Sequence, residues 1–242
     1  MKYVFLFITL LTVVGCIQLY PTHRRHDNSV VLEKSLLDTC DAKDCLIEVL
    51  KKEPNNVLAH WRLGVKYQAE QDYTKAMKEF DITIKLDSSY NLGYPYRDRA
   101  NCKNNLRNNQ GAVEDMSAAI KLNPEERYFY KDRGDYLSYI QQYDLALKDY
   151  NKALEIFDKF AEARLAKATV LVEMKRYKEA LIEYKILNFS EEFMSDPNNA
   201  SDVYFRGFAE YSTGDTKSAC ADWSRIADKY EFAKKELEIN CK

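Results

Sequence analysis

Gln142-Tyr143-Asp144-Leu145-Ala146-Leu147-Lys148-Asp149-Tyr150 decides the fold, because the same phrase returns along the chain. It is preceded by Asp72-Tyr73-Thr74-Lys75-Ala76-Met77-Lys78-Glu79-Phe80 and followed by Arg176-Tyr177-Lys178-Glu179-Ala180-Leu181-Ile182-Glu183-Tyr184. A further copy is Asp215-Thr216-Lys217-Ser218-Ala219-Cys220-Ala221-Asp222-Trp223, and Ala112 with Met116 makes a fifth, weaker one. In the four strong copies a small Ala is followed four residues later by an aromatic. From Ala112 to Ala146 to Ala180 the step is 34 residues both times. Repetition at that period means a stack of similar units, each burying its apolar face only against its neighbours.

A second phrase runs about sixteen residues upstream of each copy. It reads His60-Trp61-Arg62-Leu63-Gly64-Val65-Lys66-Tyr67, then Tyr130-Lys131-Asp132-Arg133-Gly134-Asp135-Tyr136-Leu137, and Val203-Tyr204-Phe205-Arg206-Gly207. Ala100 and Ala168 take the glycine place in the other two copies. Each first helix thus has one residue thin enough for close approach, with aromatics to fill the space beside it. The pattern resembles the tetratricopeptide repeat: Leu63, Gly64, Tyr67, Ala76 and Phe80 match its signature, while His60 stands at the tryptophan place and Ser88 at the proline place. Pro124 fills the proline place in the second copy. The resemblance implies an all-α, right-handed superhelical stack of helix pairs.

Five units are expected over residues 57–233, starting near Val57, Gly93, Arg127, Ala161 and Ala200, so the spacings are 36, 34, 34 and 39. The longest includes Ser195-Asp196-Pro197-Asn198-Asn199, whose chemistry predicts a surface loop and a joint in the stack. Residues 30–56 read as a degenerate N-terminal helix pair. Residues 229–242 read as a capping helix with Tyr230, Ala233 and Leu237 on its apolar side.

The first residues carry a separate message. Met1-Lys2 gives a positive start and Tyr3 to Val14 is apolar apart from two threonines. As a helix this run spans ~18 Å, too short for a hydrocarbon core of about 30 Å. It reads as a signal peptide over residues 1–15. Val13-Val14-Gly15-Cys16 resembles the lipobox of bacterial lipoproteins, which implies acylation of Cys16 and a lipid anchor in the cell envelope, the outer membrane being preferred. Residues 16–29 then form a tether, and the body lies in the periplasm or at the surface. His23 and His26 lack companions at ligand spacing, so no metal is expected.

Export permits disulfides. Cys220 and Cys241 come side by side if the last helices turn near Lys229, and Cys40 and Cys45 flank a short turn in a similar way. Cys102 is left over and is expected to pack as a small apolar residue.

Charged residues make up 31% of the chain and the formal net charge is −2, which gives no electrostatic footprint for nucleic acid. With three histidines in all, no phosphate loop and no nucleophile motif, neither catalysis nor a cofactor is expected. Carboxylates alternating with lysine, as at Lys148-Asp149 and Glu179-Lys185, predict solvated helix faces.

In the resembling family the first helices line the concave face. Carried over place by place, the groove residues are Trp61, Tyr94, Arg97, Asn101, Tyr128, Lys131, Asp135, Tyr139, Tyr204 and Phe208. The aromatics are expected to face solvent in the free protein, so that truncation weakens binding and spares folding. Asp98, Asp132 and Glu162 stand where a clamp for a C-terminal carboxylate needs neutral or basic groups, which disfavours that mode. The expected function is a membrane-anchored adaptor for a protein or peptide. The alternatives are a structural subunit of an outer-membrane biogenesis or secretion assembly, and glycan-binding or enzymatic use of the aromatic groove.

Overall fold

The computed structural model describes residues 42–190, 193–194 and 196–241. Cys16, Cys40 and the first half of the expected N-terminal helix pair lie outside the described residues. The described chain is helical: α1 (Lys43–Lys52), α2 (Val57–Ala69), α3 (Tyr73–Leu86), α4 (Tyr94–Asn105), α5 (Asn109–Leu122) and α6 (Arg127–Tyr139). There follow α7 (Tyr143–Ile156), α8 (Ala161–Glu173), α9 (Tyr177–Leu187), α10 (Ala200–Ser212), α11 (Thr216–Ile226) and α12 (Glu231–Asn240). The pairs α2/α3, α4/α5, α6/α7, α8/α9 and α10/α11 pack as antiparallel hairpins, and each second helix lies against the first helix of the next pair.

One turn is used five times. The residue in it is left-handed in every unit, at Gln71, Arg107, Gln141, Lys175 and Gly214. The next amide reaches back to a carbonyl five residues earlier, as in Asn108 N to Lys103 O at 2.8 Å and Arg176 N to Leu171 O at 2.8 Å. These bonds satisfy carbonyls that the end of the first helix leaves open. In three of the five units the side chain at the next position caps the second helix: Asp72 accepts from the Lys75 amide at 3.1 Å, Asn108 from the Gly111 amide at 2.9 Å and Asp215 from the Ser218 amide at 3.1 Å.

Packing within each pair rests on a small residue facing a large one. Gly64 meets Phe80, Gly134 meets Tyr150 and Gly207 meets Trp223, so closely that a Cβ at Gly134 would stand 2.6 Å from the Tyr150 ring. Phe80, Tyr150, Tyr184 and Trp223 are all buried, as are Ala76, Ala146, Ala180 and Ala219.

The two places where the spacing departs from 34 are packed. After α3 a 3₁₀ segment, Tyr90–Gly93, carries Asn91 and Leu92 in the left-handed region and sets Tyr90 edge-on to Trp61, ring centres 5.9 Å apart. After α9, Phe189 and Phe193 stack with their ring centres 4.2 Å apart, and Met194 is buried against Trp223 and Val203. The expected loose joint is therefore corrected. The insertion carries its own apolar wedge, which fills the junction between the fourth and fifth pairs.

Candidate functional site

Successive first helices touch one another, α2 with α4, α6 with α8 and α8 with α10, while second helices meet mainly first helices. Closer spacing along one row places the first helices on the inside of the curve. This inner row carries a lateral ladder. Trp61 Nε1 donates to Asp98 Oδ2 at 2.7 Å, and Arg97 Nε to Asp132 Oδ2 at 2.6 Å. The Tyr136 hydroxyl donates to Asn101 Oδ1, and the Tyr94 hydroxyl to Glu126 Oε2 at 2.8 Å. Lys131 Nζ lies 2.8 Å from Asp135 Oδ2, which also receives the Tyr150 hydroxyl on its other oxygen at 3.0 Å. Burial pushes the Asp98 carboxyl up to about 6, the Trp61 N–H pulling against it.

These contacts correct the expectation of free aromatics. Among the ten nominated residues Tyr139 alone is exposed; the rest are half-buried. Tyr128 meets Phe160 edge-on, ring centres 4.9 Å apart, with the guanidiniums of Arg127 and Arg97 at 4.7 and 5.5 Å from its ring. Tyr204 packs among Trp223, Tyr230 and Phe232, and Phe208 lies against Tyr177. Both help to hold the last pair and its cap. The physical reason is that a superhelix crowds its inner row, so large side chains there reach the neighbouring unit before they reach solvent.

A second set of charges ties each pair internally. Arg133 makes a two-pronged bond to Asp149, at 2.7 Å on both oxygens, and Arg99 to Asp115 at 2.9 and 2.6 Å. Arg206 repeats it on Asp222 at 2.6 Å twice, and Lys167 holds Glu183 at 2.6 Å. Each base precedes the small residue and each acid precedes the large one, sixteen places later. In the first pair Leu63 occupies the base place, and His60 Nδ1 meets Glu79 Oε2 at 2.7 Å instead. The solvated face expected around Asp149 is thus corrected, since that carboxylate is 6% exposed. Paired charges survive burial where isolated ones do not.

The family described as tetratricopeptide repeat matches residues 131–187. Over that stretch, from α6 to α9, the chain is similar to the tetratricopeptide repeat. Its sequence is similar to human tetratricopeptide repeat protein 6, 26% identical over 161 residues, or 66% of this chain and 29% of that one. The chain therefore spans under a third of that relative's length. Among solved structures it resembles Pseudomonas aeruginosa pilF, with a TM-score of 0.68 at 17% identity over 87% of this chain and 92% of that chain. It also resembles YrrB, with a TM-score of 0.65 at 17% identity over 82% of this chain and all of that one. A tetratricopeptide repeat protein from Parabacteroides merdae gives 0.64 at 20% identity, over 83% of this chain and 76% of that chain. At these identities the likeness is one of fold.

Within this repeat stack, Cys220 and Cys241 form a disulfide that ties α11 to the end of α12. Cys45 is also disulfide-bonded, whereas Cys40 lies outside the described residues. Cys102 is buried and free, and burial with the neighbouring Asp98 carboxyl pushes its thiol up to about 12. It is a packing residue of the α3–α4 contact. Among the described residues no group of His, Cys, Asp and Glu is placed to hold a metal ion, and no helix is long and apolar enough to cross a membrane.

Proposed function

We propose that the chain is an adaptor that holds a protein or peptide along its inner row of first helices, tethered to the envelope membrane through acylated Cys16. Repeat stacks of this kind present extended concave surfaces suited to such partners. The observation that carries the assignment is that the inner row is set before any partner arrives. Trp61, Tyr94, Arg97 and Asn101 stay partly open to solvent, yet each is fixed by a bond to the next unit. Groups already held in place lose little rotamer freedom on binding, so more of their contact energy appears as affinity. The structural neighbour YrrB is described as a tetratricopeptide-repeat protein with an unusual peptide-binding site, which agrees with this use of the fold. Anchoring rests on Val13-Val14-Gly15-Cys16 and its place at the end of an apolar run.

A photo-crosslinking amino acid at Val65, which is exposed on α2, tests the inner row in the native cell. One discrete partner is expected from that position and none from Ile182 or Ile186. Those two are exposed four residues apart on the outer side of α9 and favour a second reading, a structural subunit of an outer-membrane biogenesis or secretion assembly. Crosslinks from them alone would reverse the assignment. For the anchor, wild type is expected to take up a fatty-acid probe and enter the detergent phase, and Cys16→Ser to do neither.

A further inference from the structure

The α4–α5 turn is rich in asparagine: in Asn101-Cys102-Lys103-Asn104-Asn105-Leu106-Arg107-Asn108-Asn109-Gln110 five of ten residues are asparagine. Three of them have local work. Asn101 accepts from Tyr136, Asn108 caps α5, and Asn105 Nδ2 donates to the Asn101 carbonyl at 2.8 Å. Asn109 does not fit that account, because its Oδ1 is buried without a hydrogen-bond partner. It lines a recess of about 570 Å³ together with Asn104, Asn105, Arg107 and Tyr139. The recess lies where the α4–α5 turn faces the end of α6. Tyr139 is 60% exposed there.

We propose that this recess binds a neutral saccharide, with Tyr139 as the platform and the asparagines as the hydrogen-bonding wall. A sugar ring has a flat C–H face and a rim of hydroxyls that both donate and accept. An exposed phenol ring suits the face. Each primary amide brings two donors and an acceptor on one rigid plane, which suits adjacent hydroxyls, and Arg107 adds a fork of donors. The lining has neither a carboxylate nor an aliphatic side chain, so it offers little to a cationic or greasy ligand. The volume falls in the range of small-molecule sites and accommodates one or two hexose rings. An extended peptide fits less well, because the recess is short, lined by five residues at the α4–α5 turn and the end of α6.

The test is saturation-transfer NMR on the full chain with glucose, N-acetylglucosamine, cellobiose and N,N′-diacetylchitobiose, with tetra-alanine and inorganic phosphate as comparison probes. Saturation is expected on the ring-face protons of at least one sugar. Tyr139→Ala is expected to weaken that binding about tenfold with an unchanged melting temperature, while Tyr139→Phe, which keeps the ring, retains it. Asn104→Leu, which alters the wall and not the platform, is expected to weaken it as well. Absence of transfer from all four sugars overturns the proposal, as does transfer that Tyr139→Ala leaves intact. Binding of tetra-alanine or phosphate in place of the sugars also overturns it. Partner crosslinking from Val65 is expected to persist in Asn104→Leu, which alters the recess at a residue outside the nominated groove, so the two assignments fail separately.

Discussion

Asp149 shows how much a single residue in this stack depends on its register. It lies one place before Tyr150, on the side of α7 that faces α6, and both of its oxygens are taken by Arg133. Removing one member of such a pair leaves the other charge in a poorly solvated place. Asp149→Ala is therefore expected to destabilise the fold by about 3–5 kcal/mol in urea unfolding. Replacing both partners with apolar residues of similar volume should recover much of that loss. An Asp149→Ala loss within a few tenths of a kcal/mol would show that solvent reaches the clamp after all. Glu210 illustrates the opposite case. Burial, with repulsion from Asp222 behind it, pushes this carboxyl up to about 7. One of its oxygens is buried without a partner. A carboxyl raised above its unfolded value of about 4.3 gives stability that is fully present below that pH and lost as pH rises through about 7. Allowing for solvent screening, Glu210 should make the wild type about 1–2 kcal/mol less stable at pH 8 than at pH 4. Glu210→Gln should flatten that slope and raise the midpoint at pH 8 only. Equal pH profiles for the two proteins would remove Glu210 from the account.

At the scale of elements, the most dependent helix is α12. Ala233 is its only fully buried residue, while Phe232 and Ile239 on its outer side are 63% and 61% exposed. A ten-residue helix has little stability of its own. Tyr230, Leu237 and Cys241 pack against the Trp223 cluster, and the Cys220–Cys241 bond closes a loop of 21 residues. By the chain-entropy argument that closure contributes about 3 kcal/mol. Cys220→Ser is expected to lower the urea midpoint and to speed hydrogen exchange in α12, leaving α6 and α7 as protected as before. Unchanged exchange in α12 would mean that packing alone seats the cap. The first-to-second helix turns carry a different lesson. Four of the five left-handed residues, Gln71, Arg107, Gln141 and Lys175, are not glycine, and only Gly214 advertises its conformation. A left-handed non-glycine residue costs about 1–2 kcal/mol, and the back-reaching amide bond offsets it, joined after Gln71 and Arg107 by the Asp72 and Asn108 caps. Nothing in those four side chains announces the turn, which is legible only through its position between two repeated phrases.

Across the whole molecule, sequence alone determined the repeat. The 34-residue step, the Ala followed by an aromatic and the small residue twelve places earlier dictate helix pairs that must stack. They also place Phe80, Tyr150, Tyr184 and Trp223 in the core, because an apolar pattern that recurs in register can be buried in only one way. The pairing of Cys220 with Cys241 was legible too, since two helices and a turn between them fix where the thiols meet. The clamps of the last four pairs occupy fixed places of the same alignment, a base one place before the small residue and an acid one place before the large one. Yet composition could not separate Asp149 from a carboxylate on a wet face. Only the tertiary structure decided that, because burial depends on the neighbouring helix and not on the residue's own helix. The inner row is a similar case: places in the repeat nominated Tyr128, Tyr204 and Phe208 for it, but the curvature of the stack brought the next unit close enough to occupy most of their surface. Phe193 and Met194, just before the polar run that begins at Ser195, form a wedge that the sequence did not announce, since a wedge is defined by the gap it enters, and that gap exists only when the pairs are stacked.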